Sequence, residues 1–408
     1  MKSKSSKAGP IMSMDLEKIE EVVSRGVSAI LPSREALILD LKSGKKLKIY
    51  NGIDPTGKLH IGHMVVLKKL RAFQDLGHEV IVLIGDFTAR IGDPTDKNAA
   101  RKKLTKAEVD ENSKNYKQLI GKILDTQKTD FKFLHNEEWS NILKPVDMLE
   151  LASNFTVQQL IERDMFQERL KAGKEIYLHE FLYPIFQAYD AVTMEVDLQV
   201  GGNDQIFNMM AGRSLMRKLK NREKFVLAMK LLTDPQGKKM GKTEGNIISL
   251  DDSPEDVYGK IMSFPDELIL IGFELLTDKS MEEISRLEKD LGSSLNPRDA
   301  KAELAFEVTS KLSSKDDAKR AQDHFDKVFR LKEAPSLIRE IDAMKGIGLV
   351  DLLVKADFAP SNSAAKRLIE QGAIKIDSEI IKEDKVLTEQ EFVLSAGKRN
   401  FVKVKLNA

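Results

Sequence analysis

The segment from Lys46 to Asp93 restricts the fold more than any other part of the chain. Leu47–Tyr50 is short and apolar, Leu59–Phe73 carries apolar residues at helical spacing, and Val80–Ile84 is a continuous, largely β-branched run of the kind buried in a parallel sheet. A strand–helix–strand unit entered through a glycine turn begins a doubly wound, parallel-sheet α/β domain. The spacing predicts further helices across Lys106–Leu124, Pro145–Leu151 and Val157–Lys171, and another strand at Asp197–Val200. Beyond Ser253 the character changes to amphipathic helices without strands, at Pro254–Met262, Met281–Leu291, Pro297–Leu312 and Lys315–Val328. Past Gly346–Gly348 a small α+β module is expected, with helices at Leu349–Lys355 and Ser363–Gln371. Its strands are expected at Ile374–Ile376, Lys385–Leu387, Phe392–Leu394 and Phe401–Val404. The expected division is a flexible tail over 1–20, an α/β domain over 21–252, an α-helical domain over 253–345 and the α+β module over 346–408.

Composition removes several classes of function. There are 408 residues and no cysteine, which excludes a disulfide scaffold and thiolate or cysteine–zinc chemistry and fits a reducing cytoplasm. No apolar run approaches the roughly 18–20 residues that cross a bilayer, so no membrane association is expected. The lysine- and serine-rich first dozen residues lack the apolar core of a secretory signal. Net charge is +1, so any contact with nucleic acid must come from local patches.

Three segments carry candidate chemistry. The first, Gly52-Ile53-Asp54-Pro55-Thr56-Gly57-Lys58-Leu59-His60-Ile61-Gly62-His63, leaves a strand and opens a helix. Helix N-termini present N–H groups and a positive dipole end to anions, and the histidines can donate to phosphate oxygens. Incidental histidines on a core helix, or a two-histidine metal site, are the competing readings. The second, Gly237-Lys238-Lys239-Met240-Gly241-Lys242-Thr243, is a cationic loop suited to polyphosphate. It misses the P-loop pattern at Gln236 and, taken alone, reads equally as a solvated surface loop. The third, Tyr183-Pro184-Ile185-Phe186-Gln187-Ala188-Tyr189-Asp190, puts Tyr183, Gln187 and Asp190 on one helical face. Polar groups there need partners if buried, which a bound amino acid would supply; a water-exposed helix end is the alternative.

Taken together, His-Ile-Gly-His and Lys-Met-Gly-Lys-Thr in this order resemble the paired signatures of class I aminoacyl-tRNA synthetases. The second departs from the usual Lys-Met-Ser-Lys-Ser but keeps both lysines. The third segment resembles the substrate helix of the tyrosyl-tRNA synthetases, and most of residues 46–250 share the likeness. The resemblance implies activation of L-tyrosine with ATP and loading onto tRNA(Tyr). Tyr50 and Asp190 would bond the phenol, and Tyr183, Gln187 and Asp93 the α-ammonium. Thr56 and His60 would meet the γ-phosphate and His63 the ribose. Gly202, Asp204 and Gln205 would lie against the ribose and reacting carboxyl, while Gly52, Asp54 and Gly62 would line the nucleotide. Lys239, Lys242, Lys97 and Arg101 would close over the pyrophosphate. Magnesium would ride on the ATP phosphates, with no protein-held metal. A tryptophan-charging sister enzyme and an inactive RNA-binding relative are the alternatives.

The last module is similar to the small RNA-binding fold named after ribosomal protein S4, through Ser361–Ile376, with Asp377-Ser378 in place of the usual Asn-Gly. Lys366, Arg367, Lys398 and Arg399 are its candidate RNA contacts. The resemblance also implies a homodimer.

Overall fold

The computed structural model describes residues 13–93, 103–233, 247–327, 339–377, 379–388, 390–397 and 400–407. Lys97, Arg101, Lys239, Lys242, Lys398, Arg399 and most of the expected tail lie outside the described residues. The chain divides into two compact units, one ending at Lys315 and the other beginning at Asp316.

The first unit is built on six strands: β1 (Val27–Leu31), β2 (Lys48–Ile53), β3 (Glu79–Ile84), β4 (Phe131–His135), β5 (Leu198–Gly202) and β6 (Phe225–Met229). Their spatial order is β1-β6-β5-β2-β3-β4. β2 through β6 form the expected parallel sheet, and β1 adds an antiparallel edge strand beside β6. The central strands are buried on both faces, which is why they read as apolar runs. β2 leads through the helix Ile61–Asp75 to β3 on one side, whereas β5 leads through Ile206–Lys220 to β6 on the other. The chain thus changes direction between β2 and β5, and side chains beyond their carboxyl ends face a natural crevice.

Two helices expected to be continuous are broken for visible reasons. Val157–Lys171 splits into Val157–Ile161 and Asp164–Lys171, because Arg163 leaves helical geometry (ψ 131°) and turns into the core. Lys106–Leu124 splits into Lys106–Ser113 and Tyr116–Ile120, and the Tyr116 hydroxyl donates to the Gly57 carbonyl. The helices Pro254–Met262, Met281–Leu291 and Pro297–Leu312 form as expected, joined by an unexpected one at Leu268–Leu276.

The second unit holds the helices Leu349–Lys355 and Asn362–Glu370 and a five-stranded sheet. Its strands are β7 (Arg339–Met344), β8 (Ile374–Ile376), β9 (Glu379–Ile381), β10 (Glu391–Ala396) and β11 (Asn400–Asn407), in the order β7-β11-β10-β8-β9. Lys385–Leu387 is not a strand: Val386 makes only an isolated bridge to Gly348. Buried Leu353, Ile369, Leu394 and Val404 belong to its separate apolar core. No helix among the described residues is long and apolar enough to cross a membrane.

Candidate active site

A cavity of about 360 Å³ opens at the carboxyl ends of β2 and β5. Every described residue singled out above for small-molecule binding lines it: Tyr50, Gly52, Asp54, Thr56, His60, Gly62, His63, Asp93, Tyr183, Gln187, Asp190, Gly202, Asp204 and Gln205. Lys366 and Arg367 lie elsewhere, in the second unit. They are exposed on the helix Asn362–Glu370, whose Ala365 and Ile369 are buried.

The histidines shape the helix that carries them. His60 caps Ile61–Asp75, its Nδ1 accepting from the Gly62 N–H at 3.1 Å, while His63 Nδ1 accepts from the His60 N–H at 3.1 Å. The rings sit 4.1 Å apart. With Nδ1 accepting, the neutral ring carries its proton on Nε2, the atom that can donate to a phosphate oxygen. A Cβ at Gly62 would come within 2.9 Å of the His60 ring, so a side chain there would push the ring out of its capping position.

Asp54 ties the turn to the substrate helix. Its Oδ2 accepts from the Tyr183 hydroxyl at 2.8 Å and its Oδ1 from Thr88 Oγ1 at 2.7 Å. A Cβ on Gly85 would stand 2.0 Å from Asp54 Oδ1, so the β3 terminus can approach this carboxylate only as glycine. Asp93 is held as firmly. Arg163 Nη2 donates to Oδ1 at 3.0 Å in a buried ion pair, and Gln205 Nε2 donates to Oδ2 at 2.9 Å. Asn208 adds a longer contact to Oδ1 and donates to Gln205 Oε1 at 2.9 Å.

Asp190 is buried, and burial pushes its carboxyl up to about 8 against the opposing pull of two donors. These are Trp139 Nε1–H, 2.8 Å from Oδ1, and Asn136 Nδ2, 3.1 Å from Oδ2. Burial, and then the Asp190 charge, raise the Tyr50 hydroxyl, so it keeps its proton as a donor. Burial and the Asp54 and Asp93 charges do the same at Tyr183. Two buried atoms of cavity-lining residues have no hydrogen-bond partner among the described residues: Tyr50 Oη and Gln187 Oε1.

Sequence reasoning missed Thr88, Asn136, Trp139, Arg163, Gln199, Asn208 and Lys224. Signals existed for two of them. Trp139 is the single tryptophan of the chain, and Gln199 is a polar residue inside the apolar run Leu198–Val200. The others act through contacts between residues far apart in sequence.

Comparison with known proteins agrees with this architecture. Residues 42–330 match the family model for tRNA synthetases class I (W and Y), and residues 347–393 match the S4 domain. A tyrosine–tRNA ligase of Thermotoga maritima is 43% identical over 396 residues, covering 96% of this chain and 98% of that one. One from Carboxydothermus hydrogenoformans is 42% identical, with the same coverage. The chain therefore belongs to the class I tRNA synthetases, and within them to the family of tyrosine–tRNA ligases. The fold also matches solved structures. A truncated mitochondrial tyrosyl-tRNA synthetase of Aspergillus nidulans superposes with a TM-score of 0.64 at 22% identity, covering 77% of this chain and 94% of that one. The tyrosyl-tRNA synthetase of Archaeoglobus fulgidus, complexed with L-tyrosine, gives 0.60 at 24%, covering 76% and 100%.

Proposed function

We propose that this chain activates L-tyrosine with ATP and transfers it to the 3′ end of tRNA(Tyr). The observation that carries the substrate assignment is the pair of buried atoms lining the cavity, Tyr50 Oη and Gln187 Oε1, that have no partner among the described residues. Each costs about 1–3 kcal/mol while unpaired. Tyrosine answers both: its α-ammonium donates to Gln187, and its phenol accepts from Tyr50 while donating to Asp190. Tyr183 and Asp93 complete the ammonium site, with Asp93 kept in place by Arg163.

The tyrosine carboxylate attacks the α-phosphorus of ATP, pyrophosphate leaves, and the adenylate forms. The terminal ribose hydroxyl of the tRNA then attacks the adenylate carbonyl and AMP departs. Catalysis is alignment and charge stabilisation. The Nε2–H groups of His60 and His63 serve phosphate and ribose, with Thr56 at the γ-phosphate. Gly52, Asp54, Gly62, Gly202, Asp204 and Gln205 border the nucleotide and the reacting carboxyl. A Cβ at Gly52 would meet no atom of the described residues within 4 Å, which leaves room for a ribose against the backbone. Lys239, Lys242, Lys97 and Arg101 neutralise the departing pyrophosphate. Magnesium enters with the ATP phosphates. Of the carboxylates facing the cavity, Asp54, Asp93 and Asp190 are already committed to protein donors.

The S4 module grips RNA through Lys366 and Arg367, with Lys398 and Arg399, and residues 253–345 face the anticodon side. The enzyme works as a homodimer in the cytoplasm, where translation takes place. Ile142, Val146 and Leu149 support the dimer: all are exposed, Leu149 to 71%, while Leu151 of the same short helix is buried. The substrate assignment is tested by Tyr50→Phe in amino-acid-dependent ATP–pyrophosphate exchange. Tyrosine activation should survive while the tyrosine-to-phenylalanine ratio of kcat/KM falls; an unchanged ratio refutes the assignment.

A further inference from the structure

We propose that Lys224 is a positioning residue for side-chain selection: it turns the Gln199 amide so that its NH2 group joins Tyr50 in donating to the substrate's phenol oxygen. The inference rests on Tyr50 and Asp190 marking the side-chain end of the cavity.

Lys224 lies just ahead of β6 and is fully buried. No carboxylate lies within ion-pair distance of it among the described residues, and the charge that bears on it is the like-signed Arg213. Burial accordingly lowers its ammonium pKa. Stability alone gives no reason for an amine here, since an unbranched apolar side chain would fill the space without the desolvation cost. What the amine touches is specific. Nζ donates to Gln199 Oε1 and lies 5.8 Å from the centroid of the Tyr50 ring. A Cβ at Gly212 would come within 3.0 Å of Nζ, so the bare backbone of the neighbouring helix makes room for it.

Strand register explains why this contact matters at the cavity. Tyr50 of β2 and Gln199 of β5 are direct partners in the parallel ladder, and both line the cavity. Nζ donates to the amide oxygen, so Oε1 is the branch of the Gln199 amide that faces Lys224. With Oε1 turned to Lys224, the two N–H bonds of Gln199 occupy the other branch of the amide. A phenol oxygen gives one hydrogen, to Asp190, and has lone pairs for two donors: the Tyr50 hydroxyl and Gln199 Nε2. Phenylalanine supplies no acceptor and leaves both donors unpaired, which is how a site that reads a hydroxyl rejects the analogue without one.

The test compares tyrosine- and phenylalanine-dependent ATP–pyrophosphate exchange in the full-length enzyme and in Tyr50→Phe, Gln199→Leu, Lys224→Met and the Gln199→Leu/Lys224→Met double variant, with Tm measured for each. Gln199→Leu and Lys224→Met should each lower the tyrosine-to-phenylalanine ratio of kcat/KM by roughly tenfold, the loss expected for one hydrogen bond. The double variant should be no worse than Gln199→Leu, because Lys224 acts through Gln199. A changed ratio in Tyr50→Phe with a wild-type ratio in Gln199→Leu, or in a folded Lys224→Met, overturns this inference alone. Additive losses in the double variant also overturn it. A wild-type ratio in Tyr50→Phe overturns the reading of the cavity end itself. If Lys224→Met does not fold, Gln199→Leu decides.

Discussion

Replacing Trp139 by Phe removes one of the two hydrogen bonds that hold Asp190 on the cavity wall. Phenylalanine keeps an aromatic ring against the apolar cluster that includes Leu151 and Leu160, and removes the Nε1–H, 2.8 Å from Asp190 Oδ1, together with the rest of the indole's five-membered ring. Hydrogen bonds to charged groups contribute about 1.5–3 kcal/mol, and one pKa unit corresponds to about 1.4 kcal/mol. The carboxyl of Asp190, already pushed up to about 8 by burial, should therefore rise by roughly one to two units more. At neutral pH the ionised form that accepts from a phenol becomes scarcer by about 10–100-fold. The expected result is a fall in kcat/KM for tyrosine, with kcat at saturating tyrosine nearly unchanged. The acidic limb of the kcat/KM profile should move to higher pH by the same one to two units. Stability supplies a second reading. The folded state binds the Asp190 proton up to about 8 and the unfolded chain releases it near the ordinary 3.8, so stability falls as pH rises between those values. Trp139→Phe should extend that decline to higher pH in urea unfolding. A uniform loss of kcat/KM with an unmoved limb would refute the argument and leave Trp139 a packing residue.

Three further outcomes follow from the architecture. Arg163→Met strands the buried Asp93 carboxylate and should cost about 3–5 kcal/mol in urea unfolding; a loss below about 1 kcal/mol would show that Asp93 does not depend on the pair. Leu149→Asp should shift the protein from dimer to monomer in sedimentation, and an unchanged dimer moves the interface elsewhere. Deleting everything from Asp316 onward should leave ATP–pyrophosphate exchange largely intact while aminoacylation collapses and tRNA affinity loses part of its salt dependence; equal aminoacylation would make the second unit dispensable.

What the sequence makes legible is what short-range patterns encode. The turn from β2 into Ile61–Asp75 carries its own capping residues, His60 and His63, three positions apart. The face of Leu182–Met194 that meets the cavity is set by helical spacing, so Tyr183, Gln187 and Asp190 can be grouped without knowing what lies opposite. Strand pairing across long separations gives no comparable signal. β1 is five residues of mixed burial that become a strand by pairing with β6, some two hundred positions later, and β7 likewise depends on β11. The same limit governs the site. Asp190 is recognisable as a buried acid in need of partners, but Asn136 and Trp139 reach it from the short helix Glu137–Ser140 and its N-cap after β4, more than fifty positions away. Arg163 is the instructive case. Periodicity alone runs a helix straight through it, and the structure breaks that helix because pairing Asp93 in the core outweighs one interrupted turn. A charged residue that disrupts an otherwise regular amphipathic pattern is thus a sign of a distant opposite charge, and here that charge borders the substrate cavity.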